Sequence, residues 1–328
     1  VDTYNTVDVK NEADDKELSE KLDKLENAKK RRIFRQISRR NNRQKRRRRN
    51  RKMTLLDGKL TSSKVKAEIA AKIASDVAGG KRAPGLAVIL VGENPASQVY
   101  VRNKIKDCEE IGIISKPFIL PENTPEDELI SLVKRLNGDK TVDGILVQLP
   151  LPKSIDERKV IEMISPSKDV DAFHPANVGR ITLGLNGFAP CTPAGVMRLL
   201  AEYGISTDGK NCVVVGRSNI VGKPMALLLL AQNGTVTICH SKTPDLARHT
   251  KNADILVVAV GRAKMITADM IKDGAIVVDV GMNRVDGKLC GDVDFEGCSE
   301  KAAYITPVPG GVGPMTRAML MENTYKSY

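Results

Sequence analysis

Gly85 to Gly92 (GLAVILVG) is apolar without alternation, and further strands are expected over Val142 to Gln148, Asn211 to Val215, Asp254 to Val260 and Ala275 to Val280. A strand with one wet face alternates polar and apolar residues, so unbroken runs of this length mark strands covered on both faces. Helical patterns separate them. From Lys59 to Ala78, the residues Val65, Ile69, Ile73 and Val77 recur every four positions and form one apolar stripe. Further helices are predicted from Ala96 to Glu110, stopped by Gly112, and from Pro125 to Gly138 with Thr124 as N-cap. Others run from Thr192 to Gly204, from Gly222 to Gln232, and onward from Pro314. Short strands are expected over 117–120 and 235–239, and a hairpin between Met282 and Phe295 turning at Asp286-Gly287. This alternation predicts an α/β fold with mostly parallel sheets. The Gly- and Pro-rich stretch from Gly184 to Pro193 is the expected boundary between two domains.

The charge of +12 is concentrated at one end. Residues 1–52 carry 19 Lys and Arg against 9 Asp and Glu, while 53–328 carry 33 against 31. The globular part is therefore nearly neutral, and nucleic acid is not expected to bind it. The leader, with a short helix expected over 16–37 and the basic run Lys45 to Arg49, reads as a dispensable, disordered extension. A nucleic-acid arm or localisation signal is the alternative. The apolar runs are strand-sized, so neither a membrane-spanning helix nor a membrane partner is expected. Six cysteines without a CxxC pair read as free thiols of a reducing, cytoplasmic compartment. His174, His240 and His249 form no metal-ligand pattern, and no metal site is expected.

The strongest local signal is Val213-Val214-Val215-Gly216-Arg217-Ser218-Asn219-Ile220-Val221-Gly222, a strand running into a glycine turn and a helix. That geometry places phosphates on a helix N-terminus. The spacing is G-x-S-x-x-x-G, which a plain glycine turn also satisfies. The next strand ends in Cys239-His240-Ser241-Lys242, where NAD enzymes carry an acid for the ribose hydroxyls. With no acid there and Arg217, Ser241 and Lys242 nearby, a 2′-phosphate is favoured, and NADP is the expected cofactor. A solvated loop is the plainer reading of Ser241 and Lys242.

Tyr100 and Lys104 share a helix face. Taken alone, they fit a packed surface pair equally well. Gln148 fits a residue that satisfies a backbone group, and Asp169 and Asp171 fit turn caps. The loop Pro309-Gly310-Gly311-Val312-Gly313-Pro314 holds more glycine than a tight turn needs, and it lets backbone approach a flat ligand.

Together these motifs resemble the bifunctional methylenetetrahydrofolate dehydrogenase/cyclohydrolase family. The resemblance covers about residues 54–328. It rests on Tyr100-x-x-x-Lys104, Asp143 to Pro152 (DGILVQLPLP), Lys168-Asp169-Val170-Asp171, Pro190-Cys191-Thr192-Pro193, Gly216-Arg217-Ser218 and Pro309 to Pro314. Ala172 departs from it, since the family usually has glycine there. The resemblance implies two α/β domains flanking a cleft. Residues 53–191 would be a folate-binding catalytic domain to which a final helix, 309–328, returns, and 192–308 a Rossmann-like NADP domain. It further implies that Tyr100 stacks on the folate, Asp171 binds its pterin ring, Lys104 and Gln148 serve the reacting carbon, and Gly310 and Gly311 border the substrate. Gly216, Arg217, Ser218, Ile220, His240 and Ser241 would bind the nucleotide. The implied partners are one-carbon derivatives of tetrahydrofolate and a second copy of the chain in a homodimer.

Overall fold

The computed structural model describes residues 53–328, so the helix expected over 16–37 and the basic run 45–49 lie outside the described residues. The described chain opens with β1 (Thr54–Leu55) and α1 (Gly58–Ala78). Asp57 caps that helix by accepting the Leu60 N–H at 3.0 Å. Val65, Ile69 and Ile73 are buried as the stripe predicts, but Val77, in the last turn, is exposed.

The first sheet is built from β2 (Gly85–Val91), β3 (Ile114–Leu120) and β4 (Gly144–Val147), all parallel, in the order β3-β2-β4. All seven residues of the central β2 are buried, which is why its sequence does not alternate. Pro117 is tolerated because β3 is an edge strand. The crossovers are α2 (Pro95–Ile111) and α3 (Glu126–Gly138). Thr124 does not cap α3: its hydroxyl turns back to the Pro121 carbonyl at 2.7 Å, and Pro125 takes the cap position. Glu126, Asp127 and Glu128 in the first turn complement the helix dipole instead. Beyond β4 come α4 (Glu157–Met163), α5 (Pro175–Thr182) and α6 (Cys191–Glu202).

The second sheet contains β5 (Asn211–Val215), β6 (Thr235–Cys239), β7 (Ile255–Val258) and β8 (Ile276–Asp279), with α7 (Gly222–Ala231) and α8 (Leu246–Thr250) among the connections. A small hairpin follows, β9 (Asn283–Val285) and β10 (Lys288–Cys290). It turns at Asp286 and Gly287, whose φ values of 49° and 75° suit a two-residue turn. Next are α9 (Phe295–Ser299), β11 (Tyr304–Ile305) and α10 (Val312–Ser327). The sheet is parallel throughout, in the order β1-β11-β8-β7-β5-β6. The chain leaves β5 toward β6 on one side and later returns to β7 on the other. The order therefore reverses between β5 and β7, where open α/β sheets bind their ligands.

The expected unit 53–191 does not own its first strand, because β1 joins the edge of the six-stranded sheet beside β11. Helices α1, α6 and α10 pack together between the sheets, and their buried residues merge with those of β2, β5 and β7 in one continuous core. The chain end fastens this arrangement: the Tyr325 hydroxyl donates to Asp76 at 2.9 Å and the Tyr328 hydroxyl to the Arg82 carbonyl at 2.5 Å.

Candidate active site

Helix α2 starts just past the end of β2, where Asn94 Oδ1 accepts the Ser97 N–H at 3.1 Å and aims it. Its face carries Tyr100, Lys104 and Asp107. Lys104 is only 8% exposed, and its Nζ donates to Gln148 Oε1 at 3.0 Å. Gln148 follows β4 directly; its Nε2 donates to the Leu149 carbonyl at 2.6 Å, which fixes the amide with its oxygen toward the lysine. Tyr100 reaches the other sheet: its hydroxyl lies 2.6 Å from the sulfur of Met282, past the end of β8. Burial pushes that phenol above its ordinary pKa, while the charge of Arg317 on α10 pulls it down. Arg317 also pairs with Asp107 at 3.3 Å.

The two aspartates of the Lys168–Asp171 motif have different environments. Asp169 Oδ2 accepts the His174 N–H at 2.8 Å and the Asn177 amide at 2.9 Å, so it holds the turn that leads into α5. Asp171 is half-buried; desolvation raises its pKa, and the nearby charge of Lys104 opposes this. Cys191, at the start of α6, lies against it, its thiol pushed well up by burial and by the Asp171 charge. Ala172 is fully buried at φ 59°, a conformation that disfavours an L-residue by about 1 kcal/mol and suits glycine. Gly310 and Gly311 are both buried before α10, and the Gly310 carbonyl accepts the Lys59 N–H at 3.1 Å.

At the carboxyl end of β5, Gly216 takes φ 131°, and a Cβ there would stand 2.2 Å from the Ala259 carbonyl oxygen beside β7. Its N–H donates to the Cys239 carbonyl at 2.8 Å, which brings the end of β6 alongside. Ser218 Oγ accepts the N–H groups of Val221 and Gly222 at 3.1 and 3.3 Å, at the start of α7. His240 Nδ1 accepts the Lys242 N–H at 3.1 Å and so folds its own turn. Arg217, Ile220, Ser241 and Lys242 are exposed at this sheet end. The expected residues thus fall in two groups. Lys104, Gln148 and Asp171 gather by the first sheet, and Gly216 to Ile220 lie beside His240 and Ser241 on the second. Tyr100 links the first group to the second sheet through Met282.

Sequence profiles of the tetrahydrofolate dehydrogenase/cyclohydrolase catalytic domain and of its NAD(P)-binding domain match residues 56–171 and 190–328. The chain belongs to the tetrahydrofolate dehydrogenase/cyclohydrolase family. Among relatives of this family member, the bifunctional protein FolD of Sulfurihydrogenibium is 61% identical over 278 residues, which span 84% of this chain and 98% of that protein. The crystal structure of the bifunctional FolD of Campylobacter jejuni is 56% identical, with a TM-score of 0.83 over 84% of this chain and 98% of the other. The Trypanosoma brucei FolD, solved with NADP cofactor and inhibitor, is 39% identical, with a TM-score of 0.81 over 84% and 97%.

Sequence reasoning missed Met282 and Arg317. An exposed methionine beside a hairpin and an arginine on a terminal helix carry no local signal of what they touch. Cys191 entered only as part of a motif.

Proposed function

We propose that this chain oxidises 5,10-methylenetetrahydrofolate to the 5,10-methenyl form with NADP and then hydrolyses that cation to 10-formyltetrahydrofolate. The observation that carries it is the hydrogen-bonded Lys104–Gln148 pair at the carboxyl end of the first sheet, together with a glycine turn at the β5–β7 switch point of the second. Family membership and the NADP complex of the Trypanosoma brucei relative support the cofactor.

The nucleotide side fits such a group. Gly216 lies too close to Ala259 for a side chain, the turn leads into the start of α7, and Arg217 and Ser241 are exposed at the same sheet end. When bound, NADP supplies the hydride acceptor. The protein's part in oxidation is alignment: Tyr100, Asp171, Gly310 and Gly311 border the folate, and Arg217, Ser241 and the turn Gly216–Ile220 hold the nucleotide, with His240 shaping the loop beside it. Hydrolysis requires a proton acceptor as water adds to the cation. The unprotonated amine of Lys104 is the group for this, held at a fixed position by Gln148 and kept largely from solvent. In its protonated form the same lysine biases Asp171, which the pterin ring would meet.

The family likeness further supports a homodimer. The five buried free cysteines support a reducing, cytoplasmic setting. No helix among the described residues is long and apolar enough to cross a membrane.

An absorbance assay with methylenetetrahydrofolate and NADP tests the reading. Methenyl product should form and then decay to the formyl compound. No nucleotide-dependent change would overturn the oxidation, and a stable methenyl signal would overturn the hydrolysis.

A further inference from the structure

Two aspartates at the carboxyl end of the six-stranded sheet, Asp279 and Asp292, are buried at 3% and 0% exposure and belong to neither group above. Asp279 ends β8. Its Oδ1 accepts the N–H groups of Gly281 and Asp292 at 2.9 and 3.0 Å, and its Oδ2 accepts that of Val293 at 2.9 Å. Its own N–H donates to the Thr306 hydroxyl at 2.7 Å, just before the glycine loop that leads to α10. Asp292 takes up the next set of donors. Its Oδ2 accepts the N–H groups of Val260 and Gly261 at 2.6 and 3.0 Å, and its Oδ1 accepts the Arg262 N–H at 2.8 Å and the Asn283 amide at 2.9 Å.

The glycines opposite make room for both carboxylates. A Cβ on Gly291 would stand 1.8 Å from Asp279 Oδ2, and one on Gly281 would stand 2.2 Å from Asp292 Cγ. Side chain and backbone are fitted to each other on both sides of the pair.

Val260 to Arg262 is the turn that follows β7 at the switch point. The Gly216 turn rests on the same segment through Ala259. Asn283 adjoins Met282, the partner of Tyr100. Charge-assisted bonds from one carboxylate to three successive N–H groups fix the path of that turn more firmly than neutral bonds do.

We propose that Asp292, anchored by Asp279, is a positioning residue for hydride transfer. It sets the turn after β7 against the Gly216 turn and so shapes the nucleotide side of the site. Lys104 and Gln148, borne by the first sheet, hydrolyse without it. The inference rests on the function proposed above.

The test compares two reactions in the same protein: NADP-dependent oxidation, and hydrolysis of added 5,10-methenyltetrahydrofolate without nucleotide. Asp292→Asn sets an NH2 group against N–H donors. It should raise the KM for NADP about 10- to 100-fold while hydrolysis stays within about twofold. Equal losses in both reactions, or no change in either, overturn the proposal. Should this variant fail to fold, Asn283→Ala removes only the side-chain donor. Its KM for NADP should rise about three- to tenfold with hydrolysis unchanged, and an unchanged KM overturns the proposal. If the unaltered protein shows no NADP-dependent oxidation, the function itself is wrong. If it turns over and the variants do not separate the two reactions, only the positioning role fails.

Discussion

Lys104 on α2 and Gln148 at the end of β4 meet through a 3.0 Å hydrogen bond, the ammonium donating to the amide oxygen. The amide is itself held by the Leu149 carbonyl, so the lysine is aimed by a neutral, fixed acceptor rather than by a carboxylate at bonding distance.

Lys104→Met keeps the aliphatic stem and its packing but removes the amine. Hydrolysis should fall by roughly 10²- to 10⁴-fold, while methenyl formation remains measurable, so the methenyl absorbance should accumulate. Near wild-type hydrolysis would reduce Lys104 to a packed neighbour of Tyr100.

Gln148→Leu tests the aim rather than the amine. Hydrolysis should drop, but the double variant with Lys104→Met should be little worse than Lys104→Met alone. The coupling in such a cycle should lie at about 1 to 3 kcal/mol, measured from single-turnover hydrolysis rates. Strict additivity would show that the two side chains act independently.

Arg217→Ala should erode the preference for NADP over NAD. A guanidinium on a 2′-phosphate contributes about 1.5 to 3 kcal/mol, roughly 10- to 100-fold in kcat/KM, and the loss should fall on NADP alone. Equal values for the two nucleotides in the unaltered protein would remove the basis of this prediction.

Asp279 links stability to pH. Burial pushes its carboxyl up to about 6 from 3.8, outweighing the N–H bonds that pull it down. The folded state therefore keeps this proton longer than the unfolded state does. The contribution is fully present below about pH 4 and is lost as pH rises through 6, by up to about 3 kcal/mol. Asn at 279 cannot titrate. In urea unfolding at pH 4 and pH 7, the advantage of wild type over Asp279→Asn should shrink toward pH 7. An advantage that grows with pH would mean that the N–H bonds, not burial, set this pKa.

Most of the architecture was legible in the sequence because its signals are local. The unbroken apolar run placed β2, apolar-rich segments placed β4, β5, β7 and β8, and four-residue spacing placed α1. Long-range pairing was not legible: nothing near Thr54 says that its partner is Tyr304. Nor was Thr124, whose hydroxyl had two acceptable partners and took the Pro121 carbonyl. Within the site, the motif residues were readable by type and spacing. Asp279 and Asp292 were not, since acids beside a hairpin look like solvent-facing charges until the glycines opposite are seen to leave room for them. Ala172 was noticed as an oddity, and its φ of 59° gives the physical reason that glycine suits the position.

The pairing of β1 with β11, and the packing of α10 on α1 and α6, also govern how this protein must be made. The first sheet leaves the ribosome early, but the helix that covers α1 begins only at Val312. At about 5 to 20 residues per second, the nascent chain waits roughly 10 to 50 s between the emergence of β2 and that of its last helix. During that interval α1 lacks a partner for part of its apolar stripe. Such contacts between distant segments make for slow folding. Chaperone dependence during synthesis should therefore concentrate on the first third of the described chain, and a nascent chain arrested before Val312 should remain protease-sensitive there.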